Sequence, residues 1–262
     1  MPSIRPITPA FHEKVWGSTG LSPWFPNPEN KTGEVWFDGG DHLPLIKFLF
    51  TTDRLSVQVH PNDEQAAALN SRGKTEMWHV LQAAPGAQVA IGFRQRVTPE
   101  ELREASLDGT VVTLLSWIRV RPGDTLFVPA GTVHAIGAGL ALCEIQQRSD
   151  ITYRLFDYGR PRELHLDEGL AVSFLGPFNG RAALPVRCPF FHTERHVLQS
   201  ELQLDAVNTP SAFIVLEGEG MIGTGASAEP FLCGQVFEAD PGQRVTLRGS
   251  GTVIRTLIPL QA

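Results

Sequence analysis

Cysteine is scarce in this chain. Cys143, Cys188 and Cys233 are the whole set, an odd number with no paired spacing and no Cys-x-x-Cys. That excludes a disulfide framework and a thiolate zinc cluster, and it reads as three reduced, mostly buried thiols in a cytoplasmic protein. Long apolar runs are missing too. A membrane helix needs about 18 such residues in a row, and no segment supplies them, so no span is expected. The opening Met1-Pro2-Ser3-Ile4-Arg5-Pro6 lacks the apolar core of a secretory leader. Nor is there an excess of basic residues: Lys and Arg total 22 against 28 Asp and Glu, a formal charge of −6. A nucleic-acid partner is thereby disfavoured, because phosphate-backbone binding needs a basic surface. A small phosphorylated substrate stays compatible, since one or two local cations suffice to hold it.

What is present is β-like. The chain has 262 residues, enough for one large all-β domain or two small ones, and its 42% hydrophobic content supports a core without staples. Gly (25) and Pro (20) punctuate short apolar runs at 45–50, 55–59, 77–81, 88–93, 125–128 and 140–145. Many short strands between turn residues point to a sandwich or barrel. Helices are few. Thr98-Pro99-Glu100-Glu101 carries a cap, a first-turn proline and a capping-box glutamate, which predicts a helix over about 98–107. A second is expected from Asn62 to Leu69, and a short turn after Asp167. Leu175 to Gly180 is rich in breakers and reads as a linker. Beyond it, runs at 212–220, 235–242 and 252–258 are again β-like, with no ligand cluster.

The chemistry concentrates in two segments. Gln58 and His60 lie two apart in Ser56-Val57-Gln58-Val59-His60-Pro61, so on a strand they face the same side. Glu76 follows in Lys74-Thr75-Glu76-Met77-Trp78, and His134 ends Gly123-x5-Pro129-x-Gly131-x2-His134. Amide oxygen, two imidazoles and a carboxylate suit a borderline cation such as zinc, with room for a substrate oxygen. The plainer reading is that His60 merely ends a strand before Pro61 and Gln58 bonds a neighbour. Lys74 would share the face of Glu76, whereas His79 falls on the opposite face and reads as packing. His192 and His196 read as surface or packing residues. Trp78, Trp117 and Phe127 read as core.

The Gly123-to-His134 pattern resembles the second signature of the cupin β-barrel. The segments LSVQVHPND (55–63), GKTEMW (73–78), PAGTVHAIG (129–137) and EIQQRSDITYRLFDYGR (144–160) resemble the type I mannose-6-phosphate isomerase family in its short bacterial form. Phe11 to Gly17 and Gly33 to Trp36 look like that family's opening segments. The resemblance is strong over about 5–170. The chain departs from the pattern in being shorter, in lacking a helical insertion domain, and in having Phe37-Asp38-Gly39-Gly40 where a small, Ser-ending run often stands.

The resemblance implies an all-β cupin (jelly-roll) domain at 1–176 and a degenerate cupin-like barrel at 177–262. It implies one zinc ion (Zn2+) per chain held by Gln58, His60, Glu76 and His134, with Gln58 the weakest ligand. Lys74 would contact a substrate oxygen, and Arg154 would hold an enediolate or the sugar phosphate. Glu144 and Asp150 would serve as base or order those cations. The implied reaction interconverts mannose 6-phosphate and fructose 6-phosphate through a cis-enediolate, the base left open among Glu144, Asp150, Lys74 and zinc-bound hydroxide. Two alternatives stand beside it: an Fe(II) cupin dioxygenase, and a cupin that acts on or only binds another sugar phosphate. Monomer and homodimer are both compatible with the sequence.

Overall fold

The glycine- and proline-bounded runs fold as strands, and the all-β expectation holds. The computed structural model describes residues 3–225 and 227–260, which form three sheets. A seven-stranded sheet runs in the order Arg181–Ala182, Thr125–Val128, Glu76–Ala83, Leu140–Gln146, Leu45–Thr51, Thr32–Phe37 and Pro9–Ser18. Against it stands a five-stranded sheet of Tyr153–Phe156, Val57–Val59, His134–Ile136, Gln88–Phe93 and Leu115–Arg119. Trp16, Leu49, Trp78, Val80, Ile91, Leu126 and Leu142 fill the space between them. This is a cupin-like β fold.

Each remaining sheet face is covered. Behind the five-stranded sheet, Leu102, Ala105 and Val111 of the helices Pro99–Asp108 and Val111–Leu114 meet Val57, Val59, Ala90 and Leu155. Behind the seven-stranded sheet, Val35, Phe48 and Cys143 meet Ile214, Val236 and Ile254 of an eight-stranded sheet, together with Phe191 just before one of its strands. That third sheet encloses its own core of Ile4, Phe213, Phe231, Phe237 and Leu247. Its edge strand Ile4–Pro6 comes from the chain's beginning and pairs with Val236–Ala239. Strands Leu45–Thr51 and Leu140–Gln146 are buried at every residue because both faces of their sheet are covered. They therefore read as unbroken apolar runs rather than alternating ones.

The helix from Pro99 to Asp108 starts on Thr98 with the expected reciprocal capping box to Glu101. Asn62 caps its helix the same way through Gln65, but the α turn spans only Asp63–Ala66 before tightening to 3-10 over Ala67–Leu69. Leu166–Val172 forms the turn expected after Asp167. Val111–Leu114 is a helical turn that its β-branched Val-Val-Thr composition conceals. The segment from Leu175 to Gly180, expected as a linker, is anchored at its start, the Leu175 carbonyl accepting from Val97 N–H at 3.0 Å. Among the described residues, no helix is long and apolar enough to cross a membrane.

Candidate active site

Antiparallel register aligns the site. Trp36 lies opposite Lys47, Lys47 opposite Glu144, and Glu144 opposite Trp78, so one inward rank crosses four strands. On the facing sheet Gln58 lies directly opposite His134. Two glycines make the crowded approach possible. At Gly73 a Cβ would lie 2.6 Å from the Asn62 carbonyl carbon, and this tight passage delivers Lys74 and Glu76 inward. Gly131 takes φ +82 and donates its N–H to the His60 carbonyl at 2.8 Å, tying the turn before His134 to the end of the Gln58 strand.

His60, Glu76 and His134 are each about 1% exposed, and their ligand atoms all lie within 4.8 Å of one another. His134 Nε2 is 3.3 Å from Glu76 Oε1, and His60 Nε2 is 3.7 Å from Oε2. Each imidazole spends Nδ1 on a backbone carbonyl, His60 on Ile151 at 2.7 Å and His134 on Thr132 at 2.8 Å. That leaves both Nε2 lone pairs aimed at the centre. Burial and the nearby Lys74 charge push the His60 pKa well below its ordinary value, and burial lowers that of His134 to about 4. Both rings are thus neutral at pH 7, as metal ligation requires.

Gln58 completes the cluster with Nε2 3.3 Å from His134 Nε2, its oxygen accepting from Ser56 Oγ at 3.0 Å. A half-turn of the amide would present the oxygen instead. Neither Glu76 oxygen has an aligned hydrogen-bond donor. Lys74 Nζ lies 3.0 Å from Oε2 as an ion pair and 3.1 Å from His60 Nε2. A buried carboxylate whose Oε1 lacks a donor, among unprotonated imidazoles, is a donor set that fits a divalent cation.

Beside the cluster opens a polar pocket of about 260 Å³ whose lining includes Lys47, Ser56, Gln58, Lys74, Glu144 and Arg154. Glu144, 4% exposed, accepts from Trp78 Nε1 at 2.8 Å and lies 3.8 Å from Lys47 Nζ. Burial and the Glu76 charge raise its pKa. Burial opposes the Lys74 ammonium, but Glu76 and Glu144 overturn that and hold its pKa above the ordinary lysine value. Arg154 sits at the rim and donates to the Glu163 carbonyl at 2.8 Å. Asp150 is on the rim as well, its side chain 73% exposed and 4.0 Å from Lys47.

Several pocket residues lay outside the expected set. Lys47 is buried in the middle of the site, its ammonium 4.0 Å from the centroid of Trp36. A lone lysine within Leu45-Ile46-Lys47-Phe48-Leu49-Phe50 was the available signal, because an isolated charge in a doubly buried strand demands partners. Glu34 supplies one such charge. Burial works against its carboxylate, but Lys47 and Lys14 lower its pKa, and Trp36 Nε1 donates to it at 2.7 Å. Arg162 adds a further cation to the lining.

His79 lies on the other face of its strand, buried, with Nδ1 2.9 Å from Thr125 Oγ1. Burial, then the charge of Arg195, lowers its pKa from 6.5 to about 4, with Asp124 opposing. A neutral-only histidine contributes stability that is fully present above pH 6.5 and lost as pH falls through 4. Wild type will therefore lose about 3 kcal/mol more than His79→Gln between pH 7 and pH 4. Denaturant midpoints at the two pH values measure this, and parallel losses in the two proteins would refute it.

Fold and site together define a cupin-type β protein with a buried His–Glu–His cluster able to hold a metal ion. No protein-family model matches the chain. Mannose-6-phosphate isomerase ManA of Bacillus subtilis is 32% identical across 85% of this chain and 88% of its own length. Mannose-6-phosphate isomerase of Streptococcus mutans is also 32% identical, across 82% of this chain and 85% of that protein. The crystal structure of the Bacillus subtilis mannose 6-phosphate isomerase superposes with a TM-score of 0.86 at 27% identity, covering 97% of this chain and 99% of that one. Phosphomannose isomerase of Salmonella typhimurium shares the fold, with a TM-score of 0.80 at 16% identity over 98% of this chain and 100% of its own. The chain belongs to the mannose-6-phosphate isomerase family.

Proposed function

We propose that this protein interconverts mannose 6-phosphate and fructose 6-phosphate, with one zinc ion held by His60, Glu76, His134 and Gln58. The observation carrying this reading is the buried His60–Glu76–His134 cluster, in which Glu76 Oε1 has no donor, opening onto a cation-lined pocket. Bound there, zinc would supply Lewis-acid polarisation of a sugar oxygen without redox chemistry. Lys74, kept protonated by Glu76 and Glu144, stabilises negative charge developing on the substrate oxygens. Glu144 moves the proton between C2 and C1. Burial and the Glu76 charge raise its proton affinity, and Trp78 fixes its orientation. Asp150, its side chain 73% exposed at the rim and 4.0 Å from Lys47, lacks such a fixed orientation.

The pocket cations Lys47, buried in its wall, and Arg154 and Arg162 suit the phosphate. Lys47→Met should raise KM by about 10- to 100-fold while changing kcat little, because an interaction made equally in ground and transition states is lost. A larger fall in kcat than rise in KM would move Lys47 into the proton-transfer chemistry. All the proposed site residues fall within 1–176, the proposed catalytic unit, with 177–262 as its buttress. The three free thiols support a reducing, cytoplasmic setting.

The direct test is an enzyme-coupled assay of purified protein on mannose 6-phosphate that detects fructose 6-phosphate. Metal analysis of the same sample identifies the bound ion. Turnover with about one zinc per chain is the expected result. Folded, zinc-loaded protein without turnover would sink the substrate assignment.

A further inference from the structure

The outer face of strand Glu76–Ala83 looks onto a second cluster that the proposed reaction does not use. A cleft of about 520 Å³ opens between the two halves of the molecule, lined by residues that include His79, Asp124, Arg181, Glu194, Arg195 and His196. Its charges resolve into pairs and a remainder. Arg181 bridges to Asp124 at 3.3 Å and donates to the Arg119 carbonyl at 2.8 Å. Glu194 is held by Arg255 Nε at 2.7 Å and lies 3.2 Å from His196 Nε2. Both acids are thus already engaged. Arg195 has no carboxylate partner among the described residues, and His79 commits only Nδ1, to Thr125.

An unpaired guanidinium facing a buried imidazole, with a second guanidinium on the wall, complements a compact dianion. The volume exceeds what a bare phosphoryl group fills and lies in the range of sites for small metabolites. We propose that this cleft is a second ligand site, taking a small phosphate ester with its phosphoryl group among Arg195, Arg181 and His79. Arg195 also lowers the pKa of His79, as two groups awaiting one anion would do to each other.

Calorimetric titration of the purified protein with inorganic phosphate tests this. Two classes of site are expected, one of them in the pocket beside the metal cluster. Arg195→Ala, an exposed position on its strand, should weaken the second class by about tenfold or more and leave turnover unchanged. Lys47→Met should weaken the other class only. In histidine NMR spectra, the His79 resonance, assigned by its loss in His79→Gln, should move on phosphate addition in wild type and stay still in Arg195→Ala. A single class of site with His79 unmoved, or a His79 response untouched by Arg195→Ala, would overturn the proposal.

Discussion

Stripped with a chelator, the protein will lose fructose 6-phosphate production by a factor on the order of 10³ or more, and zinc will restore it. The expectation rests on Glu76, whose two oxygens are buried without aligned donors. Burying a carboxylate is costly unless cations answer it; Lys74 Nζ supplies one 3.0 Å from Oε2, whereas Oε1, 3.3 Å from the neutral His134 Nε2, still lacks a donor. His134→Ala should copy the chelated protein, because it removes the Nε2 atom 3.3 Å from Glu76 Oε1. Zinc stoichiometry should fall with activity in that variant. Full activity after exhaustive chelation, confirmed by metal analysis, would dissociate the reaction from the cluster and void the zinc reading.

Glu144→Gln comes next in size. The amide keeps the shape of the side chain and can still accept from Trp78 Nε1, but it cannot take a proton. We expect kcat to fall by about 10²- to 10⁴-fold with zinc content unchanged. Asp150→Asn, at an exposed rim position, should cost only a few-fold. The reverse ranking of the two variants would transfer the proton-moving role to Asp150. Retention of zinc is the control that separates lost proton transfer from a collapsed site, because Glu144 lies one strand away from Glu76 in the same sheet.

The residues of the candidate site were legible wherever a short segment carries them. Gln58 with His60 and Lys74 with Glu76 each sit two apart in β-type sequence, and that spacing alone places each pair on one face. Lys47 was visible in the same sense, but the run 45–50 was read only as an apolar strand. Glu144 was named from its segment, yet its bond to Trp78 joins residues 66 positions apart and depends on cross-strand register. Register between distant strands leaves no local trace. The return of Ile4–Pro6 to the eight-stranded sheet is hidden for the same reason. In the tail, strand Val245–Leu257 begins well before the expected 252 because Gly249-Ser250-Gly251 reads as a break. There Gly249 and Gly251, with φ of +135 and +143, instead carry the strand past a close neighbour.

The sheet that bears Lys47, Glu76 and Glu144 has a back wall made by the other half of the chain. Cutting the protein near residue 176 to obtain a minimal enzyme would bare Val35, Phe48 and Cys143 to water. An uncovered apolar sheet face of that kind invites self-association. The fragment would be an aggregation-prone half, and miniaturising this catalyst would first require repainting that face with polar side chains.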